Sequence, residues 1–135
     1  MALTHLLDTS AWLAHVFNEP GAGEVTALFE NSEATVGISV LSLLETHGRF
    51  RARGQADEYR EMLETYRRLF DRILPVDEAI VLRAIALREA APARVPAIDA
   101  LIAATAAQHA AALVHRDPHL ATLSDVAQVV LAQEE

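Results

Sequence analysis

Four acidic side chains stand where a carboxylate can do chemistry. Asp8 closes the apolar run 3–7 and is followed at once by Thr9 and Ser10. Glu45 comes after Ile38-Ser39-Val40-Leu41-Ser42-Leu43-Leu44, a stretch on which an acid is out of place unless it is paired, bound to a cation or at a wet rim. Asp99 lies in the first turn of an alanine-rich segment, 96–111, and Asp117 follows the apolar run 112–115. Each has an ordinary explanation. Asp8 can cap a helix, Asp99 is favoured near a helix N-terminus, and Asp117-Pro118 can open a turn. Together they make another possibility. Two unit charges ~4 Å apart repel by about 4 kcal/mol at an effective dielectric near 20. Carboxylates brought together must therefore take up protons or hold a cation. Hard oxygen donors without cysteine or spaced histidine ligands suit Mg²⁺ or Mn²⁺ rather than zinc. Such an ion, with open water positions, suits hydrolysis of a phosphodiester.

The elements that must position these acids are legible as an alternation. Short apolar runs at 3–7, 35–38, 72–76 and 112–115, with a possible fifth at 126–131, read as strands. Between them lie helical patterns at 10–17, 23–29, 40–53, 55–70, 78–91 and 96–111. Ser39 and Asp77 are placed to cap two of these helices, and Gly54 to stop one. Strands that read as continuous apolar runs between helices predict an α/β fold, with a mainly parallel sheet of four or five strands covered on both faces. Ligand sites in such folds lie beyond the carboxyl ends of the strands. That rule brings Asp8 and Asp117 to one edge of the sheet, with the helix starts carrying Glu45 and Asp99 beside them.

Composition narrows the function further. The chain has 135 residues, 52% of them hydrophobic, enough for a single domain over 1–135 with a real core. It has no cysteine, which removes disulfides, thiolate nucleophiles and Cys-based zinc sites and permits a cytoplasmic home. No apolar run reaches the ~18 residues of a membrane span, and the N-terminus lacks the basic region of a secretory signal. All 11 basic residues are arginine, so lysine-dependent Schiff-base and P-loop chemistry is excluded. The net charge of −8 argues, taken alone, against nucleic acid. Distribution blunts that argument, because part of the acid excess is the candidate site.

The ordered set Leu6-Leu7-Asp8-Thr9-Ser10-Ala11, Ser39 with Glu45, Asp99-Ala100-Leu101-Ile102-Ala103-Ala104-Thr105-Ala106 and Arg116-Asp117 resembles the PIN domain, most closely the VapC-type toxins of bacterial toxin–antitoxin pairs. The match covers nearly the whole chain. The resemblance implies a three-layer α/β/α sandwich and a metal-dependent endoribonuclease. It implies Asp8 and Asp99 as the main ligands of Mg²⁺ or Mn²⁺. Glu45 and Asp117 would complete the acidic site partly through waters, and Ser10 would orient a carboxylate or a water. It further implies RNA as substrate, a homodimer, and a cognate antitoxin whose tail enters the active-site groove. The chain departs at His115, where many relatives carry Thr. A structural role at the strand end and a phosphate contact are both open for it. His5, His15, His47, His109 and His119 lack metal-ligand spacing and read as ordinary residues.

Seven arginines lie between Arg49 and Arg72, interleaved with acids at helical spacing, which reads as a solvated face. The functional alternative is that Arg49, Arg51, Arg53 and Arg116 touch RNA phosphate or acidic groups of the antitoxin. Tyr59, Met62, Leu63, Tyr66, Leu69 and Phe70 form an apolar stripe that reads as core, on a helix pair where an antitoxin helix could also dock. Other acidic-site α/β proteins fit less well. A phosphorylated receiver domain needs a lysine, and a haloacid-dehalogenase-type phosphatase needs an Asp where Ser10 stands. A non-catalytic PIN-like binding module and a housekeeping RNA-processing nuclease are the remaining alternatives.

Overall fold

The computed structural model describes residues 2–133; residues 1, 134 and 135 of the expected single domain lie outside the described residues. In chain order the elements are β1 (His5–Leu7), α1 (Thr9–Val16), α2 (Ala22–Glu30), β2 (Val36–Ser39), α3 (Val40–Ala52), α4 (Tyr59–Arg67), β3 (Arg72–Leu74), α5 (Glu78–Ala90), α6 (Ala97–Gln108), β4 (Ala112–His115) and β5 (Gln128–Val130). Short 3₁₀ turns occupy Ala56–Glu58 and Leu120–Thr122. The five strands pair in the order β3-β2-β1-β4-β5, every pair parallel.

Alternation along the central strand creates the three layers. Leu6 and Leu7 are adjacent in β1, both fully buried, and point to opposite faces of the sheet. Leu6 joins Leu113 of β4 under α5 and α6, with Ile80, Ala84, Leu87 and Ala103. Leu7 joins Ile38 of β2 and Val114 of β4 on the other face, with Trp12, Val25, Tyr66 and Phe70 of the α1, α2 and α4 side. A strand buried on both faces has no polar positions, which is why these runs read as unbroken apolar stretches. Gly37 of β2 is required by this packing. A Cβ there would stand 2.8 Å from Leu3 Cδ1 and 3.2 Å from the Arg72 carbonyl oxygen.

The caps act as read. Ser39 Oγ accepts from the Leu41 amide at 3.1 Å, and Asp77 Oδ1 from the Ile80 amide at 3.0 Å. The expected helix over 55–70 is shorter: a 3₁₀ turn precedes α4, which closes at Arg67. Its last amides turn back three residues, Arg68 to Thr65 and Leu69 to Tyr66, and the Asp71 amide bonds the Val36 carbonyl at the start of β3. The chain must leave the helix there to reach the sheet. Tyr66 and Phe70 consequently enter the core edge-on to Trp12, while Leu69 is exposed. Strand ends move for similar reasons. The run 72–76 stops at Leu74, before Pro75, which has no amide hydrogen to extend the ladder. Helix α6 ends through Ala110, which takes a left-handed φ of 52° that is ordinarily a glycine position.

No helix among the described residues is long and apolar enough to cross a membrane.

Candidate active site

The carboxyl ends of β1 and β4, the starts of α1 and α6 and the middle of α3 border a cleft of about 310 Å³. It is lined by Asp8, Thr9, Ser10, Leu13, Glu45, Arg49, Asp99 and Asp117. All four acids singled out in the sequence thus meet one cavity. Asp8 is 5% exposed and serves two ends. Its Oδ1 caps α1, accepting from the Ala11 amide at 2.8 Å and from Ser10 Oγ at 2.7 Å. Capping and a cleft-facing carboxylate, alternatives in the sequence, coexist in this residue. Burial pushes the Asp8 carboxyl up to about 6 from 3.8, against its hydrogen bonds from Ser10 and Ala11; the charge of Asp99 adds to the rise.

Asp99, half-buried in the first turn of α6, is also raised, first by burial and then by the charges of Asp117 and Glu45. Mutual repulsion of these acids is therefore a property of the folded cleft. Glu45 is held by Thr9, whose Oγ1 donates to Glu45 Oε1 at 2.5 Å and shares a hydrogen bond with Ser42 Oγ at 2.9 Å. Thr9 was not singled out by sequence reasoning; its only signal is a hydroxyl beside Asp8. Ser10 joins two strand ends, donating to Asp8 and accepting from the Arg116 amide at 3.3 Å. Asp117 Oδ1 accepts from the His119 amide at 2.8 Å and lies 3.0 Å from its ring Nδ1.

The donors available to an ion here are oxygens, as hard divalent cations require. Among the described residues no three acidic or histidine side chains stand close enough to form a metal shell unaided. The carboxylates line the cleft rather than meeting at one point. That spacing suits an ion that keeps several of its waters, as Mg²⁺ does.

The family model of the PIN domain matches residues 5–126. The chain belongs to the PIN-domain family. Among solved structures, this PIN domain is similar to VapBC2 from Rickettsia felis bound to a promoter DNA fragment, with a TM-score of 0.79 and 17% identity over 96% of this chain and 100% of that one. It is also similar to FitAcB from Neisseria gonorrhoeae, with a TM-score of 0.75 and 26% identity over 93% of this chain and 96% of the other. A toxin–antitoxin complex from Klebsiella pneumoniae matches with a TM-score of 0.67 and 26% identity, over 91% and 95% of the two chains. No curated protein matches.

The arginines of this PIN domain divide. Arg49, one helical turn after Glu45, lines the acidic cleft. Arg51 is exposed on α3 and does not line it. Arg53 lies 3.9 Å over the Phe17 ring, with its Nε donating to Gln55 at 3.1 Å. Arg116, expected as an RNA or antitoxin contact, is half-buried and engaged within the chain: its guanidinium pairs with Glu19 and donates to the Pro20 carbonyl. That pair ties the end of β4 to the α1–α2 connection. A second groove, about 440 Å³, lies at the far end of α1. Its apolar floor is Val16, Phe17, Phe50 and Met62, and Glu58 and Glu61 stand on its rim.

Proposed function

We propose that this PIN domain is a metal-dependent endoribonuclease, the toxin of a VapBC-type toxin–antitoxin pair, acting in the cytoplasm. The observation that carries the reading is the convergence of Asp8, Glu45, Asp99 and Asp117 on one cleft at the carboxyl edge of the sheet. Asp8 and Asp99 would hold Mg²⁺ or Mn²⁺, with Glu45 and Asp117 reaching it partly through waters. When bound, the ion supplies a water of lowered pKa and neutralises charge on the phosphate oxygens. The chain's own residues do the positioning. Ser10 and the Ala11 amide fix Asp8 at Oδ1, so the carboxylate presents its other oxygen. Thr9 fixes Glu45. Arg49 is the cation at the cleft available to a substrate phosphate, and its guanidinium suits paired contacts to phosphate oxygens.

Two partner readings go with it. The similar solved structures named above include toxin–antitoxin complexes, and the groove of Val16, Phe17, Phe50 and Met62 suits the apolar face of an antitoxin helix. Its Glu58 and Glu61 rim favours a helix carrying basic residues. For the homodimer, α5 exposes Val81, Leu82 and Ile85 at 41%, 59% and 49%. A two-fold axis with antiparallel α5 helices would bring Glu78 in the first turn of one copy towards Arg88 in the last turn of the other, at both ends of this apolar stripe.

The deciding experiment incubates purified protein and its Asp99→Asn variant with total RNA in Mg²⁺, Mn²⁺ or EDTA and maps the cut ends. Cleavage by the wild type only with metal, lost in the variant, is expected. Equal cleavage in EDTA, or full activity of Asp99→Asn, overturns the mechanism. Expression without growth arrest, in cells where cleavage is measurable, assigns the nuclease to housekeeping RNA processing instead.

A further inference from the structure

We propose that the pair formed by buried His115 and half-buried Gln128 is the positioning device for Asp117, the acid that follows β4. The proposal rests on the reading of Asp117 as part of the acidic site. His115 is 0% exposed, so it cannot meet a phosphate, and both ring nitrogens are engaged. Its Nδ1 lies 3.0 Å from the Asp117 backbone nitrogen and must accept that amide's hydrogen. In the neutral ring the hydrogen then sits on Nε2, which faces Gln128 Oε1 at 2.8 Å. The orientation of the Gln128 amide is fixed in turn. Its Nε2 donates to the carbonyls of Leu120 at 3.0 Å and Leu123 at 2.7 Å, so its oxygen is the end left for His115.

Every polar atom of the two side chains is thus partnered, and the chain of bonds has one direction. It begins at two carbonyls in the segment after Asp117, crosses β5 through Gln128 and β4 through His115, and ends on the amide of the acid itself. The segment 117–123 is held at its first residue and near its last by the same pair. The His115 ring is sealed from water, so losing a partner of either ring nitrogen is costly: a buried donor or acceptor is then left unpaired. A histidine placed only to fill the strand end would not need its hydrogen on a particular nitrogen. This one does, and the atom it serves belongs to the acid of the cleft.

Two substitutions separate the nitrogens. In His115→Asn the side-chain oxygen takes the place of Nδ1 and still accepts from Asp117, while Gln128 loses its partner. In His115→Gln the amide reaches toward Gln128 and leaves the Asp117 amide unpaired. Gln128→Leu leaves the ring without its orienting acceptor. Each is measured for thermal stability, for Mn²⁺ affinity by calorimetry and for RNA cleavage, and the wild-type ring is observed by ¹⁵N NMR. The proposal expects His115→Gln and Gln128→Leu to lose about 10-fold or more in Mn²⁺ affinity and in kcat, with KM little changed. His115→Asn should stay close to wild type although it is no more stable than His115→Gln. The wild-type ring should carry its hydrogen on Nε2. A hydrogen on Nδ1, or Asn and Gln variants impaired alike in step with their stability, overturns it. A wild type that binds Mn²⁺ but cleaves no RNA defeats the nuclease reading and leaves this one to the affinity and tautomer results.

Discussion

Thr9 and Glu45 are 36 residues apart in sequence and 2.5 Å apart at their side-chain oxygens. One is the first residue of α1 and the other lies midway along α3, so the bond pins two helices together at the mouth of the cleft. It also decides which way the Glu45 carboxylate faces. Thr9→Val keeps the branched shape and removes the hydroxyl. The expected result is a loss of about 10-fold in metal-dependent RNA cleavage, the usual effect of removing a group that orients a ligand, with a small change in Tm. Unchanged cleavage would show that Glu45 needs no such anchor.

Asp8 places stability and activity in opposition. Its folded-state pKa is raised to about 6 from 3.8. A raised carboxyl pKa means that the folded state holds the proton more tightly. Its stabilising contribution is therefore complete below about pH 4 and is lost as pH rises through about 6. At pH 7.5 without metal the ionised Asp8 costs up to ~3 kcal/mol, because each tenfold gain in proton affinity on folding is worth ~1.4 kcal/mol. Asp8→Asn keeps a good helix cap and the acceptor for Ser10 and Ala11. The variant should melt higher than the wild type in EDTA at pH 7.5, with a gap that closes by pH 4, and should cleave no RNA. A lower Tm at neutral pH would contradict the burial argument.

Two backbone positions give opposite signs. Ala110 adopts a left-handed φ at the end of α6 and is exposed, so Ala110→Gly relieves strain at no packing cost. It should raise stability by about 1 kcal/mol in urea unfolding. Gly37→Ala forces a methyl against Leu3 and the Arg72 carbonyl, and should lower stability by about 1–3 kcal/mol.

The α5 assignment is tested by size. Leu82→Glu, on the most exposed residue of the stripe, should convert a dimer to a folded monomer in sedimentation analysis, with a Tm that no longer depends on protein concentration. A wild type that is monomeric at high concentration, or a variant that stays dimeric, removes α5 as the seam.

The layers and the acids were legible because both obey short-range rules. Strands buried on two faces are continuous apolar runs, and helices that start at strand ends carry their caps beside them, as Ser39 and Asp77 do. Asp8, Glu45, Asp99 and Asp117 could be brought together by topology alone. What was not legible depends on partners distant in sequence. Thr9 meets Glu45, Arg116 meets Glu19, and His115 meets Gln128 across folds of the chain that no local pattern encodes. The break after Arg67 was hidden for another reason: the apolar spacing runs on to Phe70, while the demand that the chain reach β3 lies outside that stretch.

The hydrogen bond from the Ala11 amide to Asp8 has a practical consequence. That amide sits inside α1, yet its acceptor is the carboxylate that faces the cleft. Anything that draws charge from Asp8, whether a cation or a proton, must alter the electron density at one backbone hydrogen. The Ala11 amide resonance is therefore an intrinsic reporter of occupancy, readable in a single ¹⁵N NMR titration without substrate or turnover.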